Sequence, residues 1–549
     1  MNNQDIKEKQ SKKIYILYRG KDPGDIKGSV QERFPGATIE ESIKFKFSPG
    51  VLIECRKKIS KPHDITVIQI SPPLNYFKKL VLYFLLLFIP SKEKIIIEAE
   101  GSEPVYVRWY DGFTLALIFP FAVLLTLFIE FSALIYTFLA GIYLLVKGDS
   151  NCKSDPDNKK VVYLAPSRHL LDPYRGSTSH ARGVIRAFQE TGWDIVVVSP
   201  GNIPGISGEY EIIKPALQNL LTGGVSDILY DFIYFLKALP LVKKKKPAFI
   251  YQRHGRYSMS GVLISRITGI PLALEMNAVL SYESGKWGGT GAVMRMFISR
   301  YENICIKHAG RIFTVSELLK KDIISAGGSP ERVFVNPNGV DVNVFHPGCG
   351  GDEIRKKHGL ENKVVVGFCG SFYPWHGVDF LTEVIQKTIS TDKNISFLLV
   401  GGGPEREKME LNTGNNDASN SNNTTIFTGR VNPGEVPAYL DACDILLLTI
   451  SRGFEYSSPI KLFEYMAMSK AIICPEVGQM GEILDDGVDA VLICPEDVDA
   501  FYKAIDDLVE NEQKRRDLGI AARKKATEKY TWKANVERVV QSMFSIYGG

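Results

Sequence analysis

The chain has 549 residues, with 66 Lys and Arg against 62 Asp and Glu and a formal net charge of +4. That length exceeds what one hydrophobic core fills, so two to four domains are expected, and the near-balanced charge excludes a nucleic-acid-binding composition. The eight cysteines (Cys55, Cys152, Cys305, Cys349, Cys369, Cys443, Cys474 and Cys494) stand singly, which excludes a CxxC metal or redox pair.

The cysteines read as buried reduced thiols, and the polar first twelve residues lack the apolar core of a signal peptide, so the soluble parts are expected in the cytoplasm. Residues 1–110 carry strand-like runs at 13–18, 65–70, 95–99 and 105–108 and predict a small α/β domain without a chemical motif. Residues 80–90 form an apolar run behind Lys78 and Lys79, too short to span a bilayer and read as a buried or interfacial helix.

Over 112–146 the sole charged residue is Glu130, with Arg108 and Asp111 before the run and Lys147 and Lys153 after it. Each half would be roughly 24–27 Å long at ~1.5 Å per residue, near the ~30 Å hydrocarbon thickness. Residues 111–147 therefore predict a membrane helical hairpin that turns at Glu130 and keeps its basic ends on the cytoplasmic side. It either spans the bilayer or re-enters one leaflet, and a soluble core hairpin is the alternative. The polar stretch 148–160, with Asp155-Pro156-Asp157-Asn158, reads as a linker.

A domain is predicted over 161–342. It opens with a strand at 161–165, a helix carrying Val184, Ile185 and Phe188 that ends at Gly192, and a strand at 194–198. Gly176-Ser177-Thr178-Ser179-His180 begins that helix, where backbone N–H groups point outward, although without GxGxxG an ordinary βα turn is an equal reading. Strands at 248–252 and 271–275 are followed by Arg253-His254 and Met276-Asn277. Residues just past parallel-strand C-termini face a ligand crevice, which makes His254 and Asn277 candidates, while polar residues there also serve as turn formers. The alternation runs on to Asn338-Gly339-Val340-Asp341.

The second domain, 343–530, starts with a strand at 364–369, the turn from Gly370 to Gly377 and a helix from Val378. A strand at 395–400 leads into Gly401-Gly402-Gly403-Pro404, a glycine turn that lets a planar or anionic ligand approach the backbone. The polar run 413–424 reads as an exposed loop. Strands at 425–429, 444–448 and 471–474 complete a parallel sheet. Val536, Val539, Val540, Met543 and Phe544 recur at helical spacing, so 531–549 predicts a helix packed on a neighbouring domain.

Inside this domain Ser458-Pro459 reads as a helix start, with serine as the cap and proline in the first turn. The free N–H groups and the dipole there favour an anion, and Lys461 adds a full positive charge, which makes a phosphate site. Glu464 shares the face of Lys461 one turn deeper, placed to accept hydrogen bonds from paired hydroxyls, as on a ribose. A solvated Lys–Glu pair on an amphipathic helix is the competing reading. Asp497-Val498-Asp499 reads as a helix cap rather than a metal site.

From Val161 to the end the chain resembles the family 4 glycosyltransferases. The resemblance rests on Phe313-Thr314-Val315-Ser316, Pro337-Asn338-Gly339-Val340-Asp341, residues 367–377 and 400–404, Phe427-Thr428-Gly429-Arg430-Val431 and residues 458–468, in that order. It implies the α/β GT-B architecture of two facing Rossmann-like domains, beside the small α/β domain and hairpin read above. It also implies a nucleotide diphosphate sugar held by the C-terminal domain and an acceptor entering from the N-terminal one, with retention of anomeric configuration and no bound metal or cofactor.

By the same resemblance Glu464 would bind the ribose hydroxyls, and Lys461, Ser458 and Leu462 the diphosphate. Gly370, Ser371, Gly402 and Arg430 would line the donor pocket, Glu455, Asn277 and His376 would join Lys461 in catalysis, and Gly176, Ser177, His180, Arg253 and His254 would stand on the acceptor side. The chain departs from the family pattern at three places. Tyr456 replaces the first glutamate of a pair, with Glu455 one residue off; a basic pair is reduced to Ser371 and His376; and an acceptor-side histidine appears as Asn277.

The expected protein is a membrane-associated hexosyltransferase with its catalytic domains on the cytoplasmic side. It would act on a lipid-linked or surface-polysaccharide precursor, with protein partners reached through residues 1–150 and no nucleic-acid partner. A catalytically weak nucleotide-sugar-binding scaffold is the second reading, and an epimerase or phosphorylase on the same architecture the third.

Overall fold

The computed structural model describes strands 13–19, 38–44, 63–70, 91–97 and 105–106, helical positions between 121 and 146, and residues 157–215, 223–286, 292–390, 394–413, 424–451, 453 and 458–545. The chain divides into two compact units, one holding residues 1–139 and 215–230 and the other holding residues 140–214 and 231–549.

In the first unit β1 (Lys13–Arg19), β2 (Thr38–Lys44), β3 (His63–Ile70), β4 (Ser91–Ile97) and β5 (Val105–Tyr106) form a sheet of order β2-β1-β3-β4-β5, parallel except for β5. Strand β2 escapes the sequence pattern because Ile39 and Ile43 are its only apolar residues, so its state is set by pairing along β1 rather than by local preference. Most of the predicted hairpin 111–147, Glu130 included, lies outside the described residues. Among the described residues no helix is long and apolar enough to cross a membrane.

The second unit holds two parallel sheets. The first has the order β12-β11-β10-β9-β6-β7-β8, built from β6 (Lys160–Leu164), β7 (Asp194–Ser199), β8 (Glu209–Ile212), β9 (Phe249–Arg253), β10 (Leu272–Met276), β11 (Arg311–Thr314) and β12 (Val333–Val335). The second has the order β15-β14-β13-β16-β17-β18, from β13 (Val364–Cys369), β14 (Ile395–Val400), β15 (Thr424–Gly429), β16 (Ile445–Leu447), β17 (Ala471–Pro475) and β18 (Val491–Ile493). Helices cover both faces, so central strands read as unbroken apolar runs; all six residues of β14 are buried. Strand order reverses beside β6 and beside β13, and the crevice past those strand ends is where such sheets take ligands.

Three helices shape that crevice: α1 (Gly176–Glu190) behind β6, α2 (Ile460–Ala467) behind β16, and α3 (Trp532–Phe544) at the end of the chain. Trp532, Val536, Val539 and Met543 of α3 sit in the core of the first sheet with Val184, Ile185 and Phe188 of α1. The main chain crosses between the sheets at Val340 and again at Thr531. There Val340 donates to the Tyr530 carbonyl at 2.9 Å and Trp532 donates to the Val340 carbonyl at 3.3 Å. Gly339 has no room for a side chain, since a Cβ would lie 2.7 Å from the Trp532 nitrogen.

The cysteine reading is corrected at three positions, since Cys349 and Cys369 are half-buried and Cys494 is exposed. Cys305, Cys443 and Cys474 are buried thiols, while Cys494 lies just past the end of β18. Cys55 and Cys152 lie outside the described residues.

Candidate functional site

Helix α2 buries Leu462, Phe463, Tyr465, Met466 and Ala467 in the core, which leaves Lys461 and Glu464 on its remaining, half-buried face. The Tyr465 hydroxyl accepts from the Cys369 N–H at 2.8 Å and ties the helix to the end of β13. The expected serine cap is corrected. Pro459 is the capping residue, the helix carries no side-chain cap, and the Ser458 hydroxyl accepts instead from the Asn338 N–H at 3.4 Å. Leu462, expected at the diphosphate, has a buried side chain, and its N–H donates to the Pro459 carbonyl at 3.0 Å.

The Lys461 Nζ stands 2.8 Å from the His376 Nδ1 and 4.7 Å from the centroid of the Phe368 ring. It has this place because residue 370 is glycine: a Cβ there would meet the Lys461 Nζ and come within 3.2 Å of the His376 Nδ1. Burial lowers the Lys461 pKa to about 8 against the pull of Glu464. Burial and the lysine together push His376 down to about 2, so the imidazole is neutral, accepts at Nδ1 and carries its proton at Nε2. The His376 carbonyl accepts from the Thr449 hydroxyl at 2.6 Å, which fixes the loop that presents the ring.

Burial raises the Glu464 carboxyl to about 7, although Lys461 and Arg182 draw it down. Among the described residues nothing hydrogen-bonds that carboxyl. Arg182, on α1, escaped the sequence reading; an arginine on an amphipathic helix is ordinarily solvated, and only the facing of the two domains brings it within electrostatic reach of Glu464 and Asp341.

The strand ends beneath are laced together. Gly370 donates to the Val400 carbonyl and Gly401 to the Gly429 carbonyl, each at 2.9 Å, and Gly401 holds φ +131° with its α-carbon packed on the Gly370 carbonyl. Gly402 lies against Arg430, whose Cγ would be 3.1 Å from a Cβ at 402. Ser371 is half-buried in the turn, its carbonyl accepting from the Tyr373 N–H at 2.9 Å. Across the crevice the Arg430 guanidinium lies 5.9 Å over the Tyr174 ring.

On the opposite side Gly176 begins α1 with its α-carbon facing Ile460, so the N-termini of α1 and α2 meet, with Ser177 half-buried beside them. His180 and His254, expected on the acceptor side, are both buried among polar partners. His180 is enclosed, with Nδ1 2.5 Å from the Asn338 Oδ1, Nε2 2.8 Å from the Glu275 Oε1 and its ring edge-on to Trp532. His254 is equally enclosed and faces the Glu302 carboxylate at 3.6 Å, which itself accepts from the Leu280 and Ser281 N–H groups.

Arg253 and Asn277 both converge on Glu275. The Arg253 Nη1 is 2.5 Å from Oε1, the Asn277 amide nitrogen donates to the same oxygen, and the Tyr251 hydroxyl donates to Oε2 at 2.7 Å. Burial alone would raise the Glu275 carboxyl, but the neighbouring His180 and Arg253 and these hydrogen bonds hold it at about 2. Glu455 lies outside the described residues. Asp497 caps helix Val498–Glu510 by accepting from the Ala500 N–H at 2.9 Å.

Residues 174–344 match the model of Glycosyltransferase Family 4, and residues 363–511 match that of Glycosyl transferases group 1, together more than half of the chain. An uncharacterized glycosyltransferase of Methanocaldococcus jannaschii is 30% identical over 44% of this chain and 60% of its own length. A GDP-mannose-dependent alpha-(1-6)-phosphatidylinositol monomannoside mannosyltransferase of Mycolicibacterium smegmatis is 23% identical over 41% of this chain and 60% of its own length. The chain thus spans about three fifths of the length of these curated relatives. The crystal structure of HepE from Anabaena in complex with UDP and glucose is similar with a TM-score of 0.54 at 18% identity, covering 71% of this chain and all of that one. On the two models and the paired parallel sheets, this chain belongs to the group 1, family 4 glycosyltransferases and has the GT-B fold.

Proposed function

We propose that the protein is a retaining glycosyltransferase that moves a hexose from a nucleotide diphosphate sugar to a lipid-linked or surface-polysaccharide precursor at a membrane, without a bound metal or cofactor. The observation that carries this is the pairing on α2: a buried-side ammonium beside a helix N-terminus and a carboxyl one turn deeper, neither the N-terminus nor the carboxyl taking a side-chain hydrogen bond among the described residues. Among the described residues Lys461 has no carboxylate within ion-pair distance, and its hydrogen bond to a neutral His376 orients the charge without cancelling it. As the bond between sugar and diphosphate breaks, negative charge grows on the leaving oxygen, and a cation and N–H groups already in place stabilise it without reorganising.

Glu464 then accepts from the ribose hydroxyls, and Arg430 with Tyr174 closes the mouth of the crevice beside the base. HepE was crystallised with UDP and glucose, and the phosphatidylinositol mannoside enzyme acts on a lipid, which favours a donor and an acceptor of these classes. In the first unit exposed Phe121, Phe128, Phe131 and Phe138 supply apolar side chains suited to membrane contact on the cytoplasmic side. The scaffold reading keeps one specific support, since the Asn277 amide is committed to Glu275.

The test supplies membranes with labelled UDP- and GDP-sugars and compares wild type with Lys461→Ala and Glu464→Ala. Loss of the leaving-group cation is expected to lower transfer by ~100-fold or more. Equal transfer by all three removes the proposed site, and donor binding by wild type without transfer to any acceptor selects the scaffold.

A further inference from the structure

One chain of polar contacts runs between the two domains and ends at Ser458, at the mouth of α2. It starts at Glu275 at the end of β10, whose carboxylate is 4% exposed and takes contacts from Tyr251, Arg253, Asn277 and His180. His180, on α1, links that carboxylate to the Asn338 Oδ1. Asn338, 5% exposed and next to the first crossing of the main chain, turns its amide nitrogen to the Ser458 carbonyl at 2.6 Å and its N–H to the Ser458 hydroxyl. Ser458 stands two residues before α2, and what holds it is the other domain's network rather than its own helix.

A carboxamide alone among short side chains offers an acceptor to a ring N–H and a donor to a carbonyl at the same time. The links among Glu275, His180 and Asn338 are enclosed and those to Ser458 part-buried, and in such surroundings a bond to an ionised or charge-fixed group is stronger than in water and an unmade one is costly. We propose that Asn338 is a positioning residue: it carries the placement fixed at Glu275 and His180 in the first domain to the mouth of α2, and so aligns Lys461 and the first N–H groups of that helix with the acceptor side. This rests on the donor reading of α2 given above.

Binding of UDP and of GDP to the full chain, measured by titration calorimetry, separates the two. Failure of wild type to bind either overturns the donor reading and this inference with it. With wild-type binding in hand, Asn338→Ala and Glu275→Gln are each expected to weaken it by ~10-fold, and the double variant by about the same factor, because members of one network are not additive. Asn338→Asp keeps the acceptor and the shape but loses the donor to Ser458, and is expected to behave as Asn338→Ala. Should Glu275→Gln lose its thermal unfolding transition, His180→Gln replaces it in the cycle. Overturning results are an Asn338→Ala or Asn338→Asp chain that binds within about twofold of wild type, or a double variant whose loss is the product of the single ones.

Discussion

Lys461 and Glu464 titrate in opposite directions from their ordinary values, and the sign of each shift predicts how donor binding depends on pH. The Lys461 pKa of about 8 lies below the free lysine value, so above pH 8 the empty site loses its cation, and a bound diphosphate restores it by taking up a proton. The Glu464 pKa of about 7 lies above the free carboxyl value, so below pH 7 the empty site holds a proton that ribose hydroxyls, which donate to the ionised form, expel. UDP or GDP affinity is therefore expected to peak between about pH 7 and 8. Calorimetry at pH 8.5 in buffers of different ionisation enthalpy should show proton uptake in wild type and none in Lys461→Ala; uptake unchanged in the variant contradicts the assignment. Residue types in a helical spacing made Lys461 and Glu464 legible in the sequence. Arg182 and the Glu275 network were not, because they depend on which side chains a crossing between two domains brings together.

At the scale of elements, two substitutions probe how the site is held. Gly370→Ala sets a methyl group against the Lys461 ammonium, and the lysine must swing from His376. Nucleotide affinity is expected to fall by ~10-fold while the thermal midpoint, measured alongside, moves little, since the closest approach is to the end of one flexible side chain. Trp532→Ala does the converse: it empties a site 8% exposed, packed on Gly183 and His180, and is expected to cost about 3–5 kcal/mol in denaturant unfolding. The apolar runs of β13 and β14 and the spacing of α3 announced those elements. Strand β8, Glu-Tyr-Glu-Ile at a sheet edge, did not, since an edge exposed to water needs little apolar character. The start of α2 was placed within a residue, but its cap was misassigned because Ser458 has a stronger claim on it from Asn338.

For the whole molecule, the second unit is one body made of two sheets sewn together at Val340 and Thr531, with a crevice whose far wall belongs to α1 and whose near wall belongs to α2. The alternation of strands and helices disclosed both sheets; the depth at which His180 and His254 are enclosed did not follow from it, since strand-end and helix-start residues look alike in sequence whether they open to a crevice or fold back into it. The account stands on one claim, that the crevice receives an activated sugar's pyrophosphate at the head of α2. A crystal structure of the full chain with a nucleoside diphosphate addresses it most directly. The β-phosphate is expected within ~3 Å of the Lys461 Nζ and the first N–H groups of α2, with the ribose hydroxyls on Glu464. A nucleotide seated elsewhere, with Lys461 still on His376 and Glu464 unbonded, contradicts it.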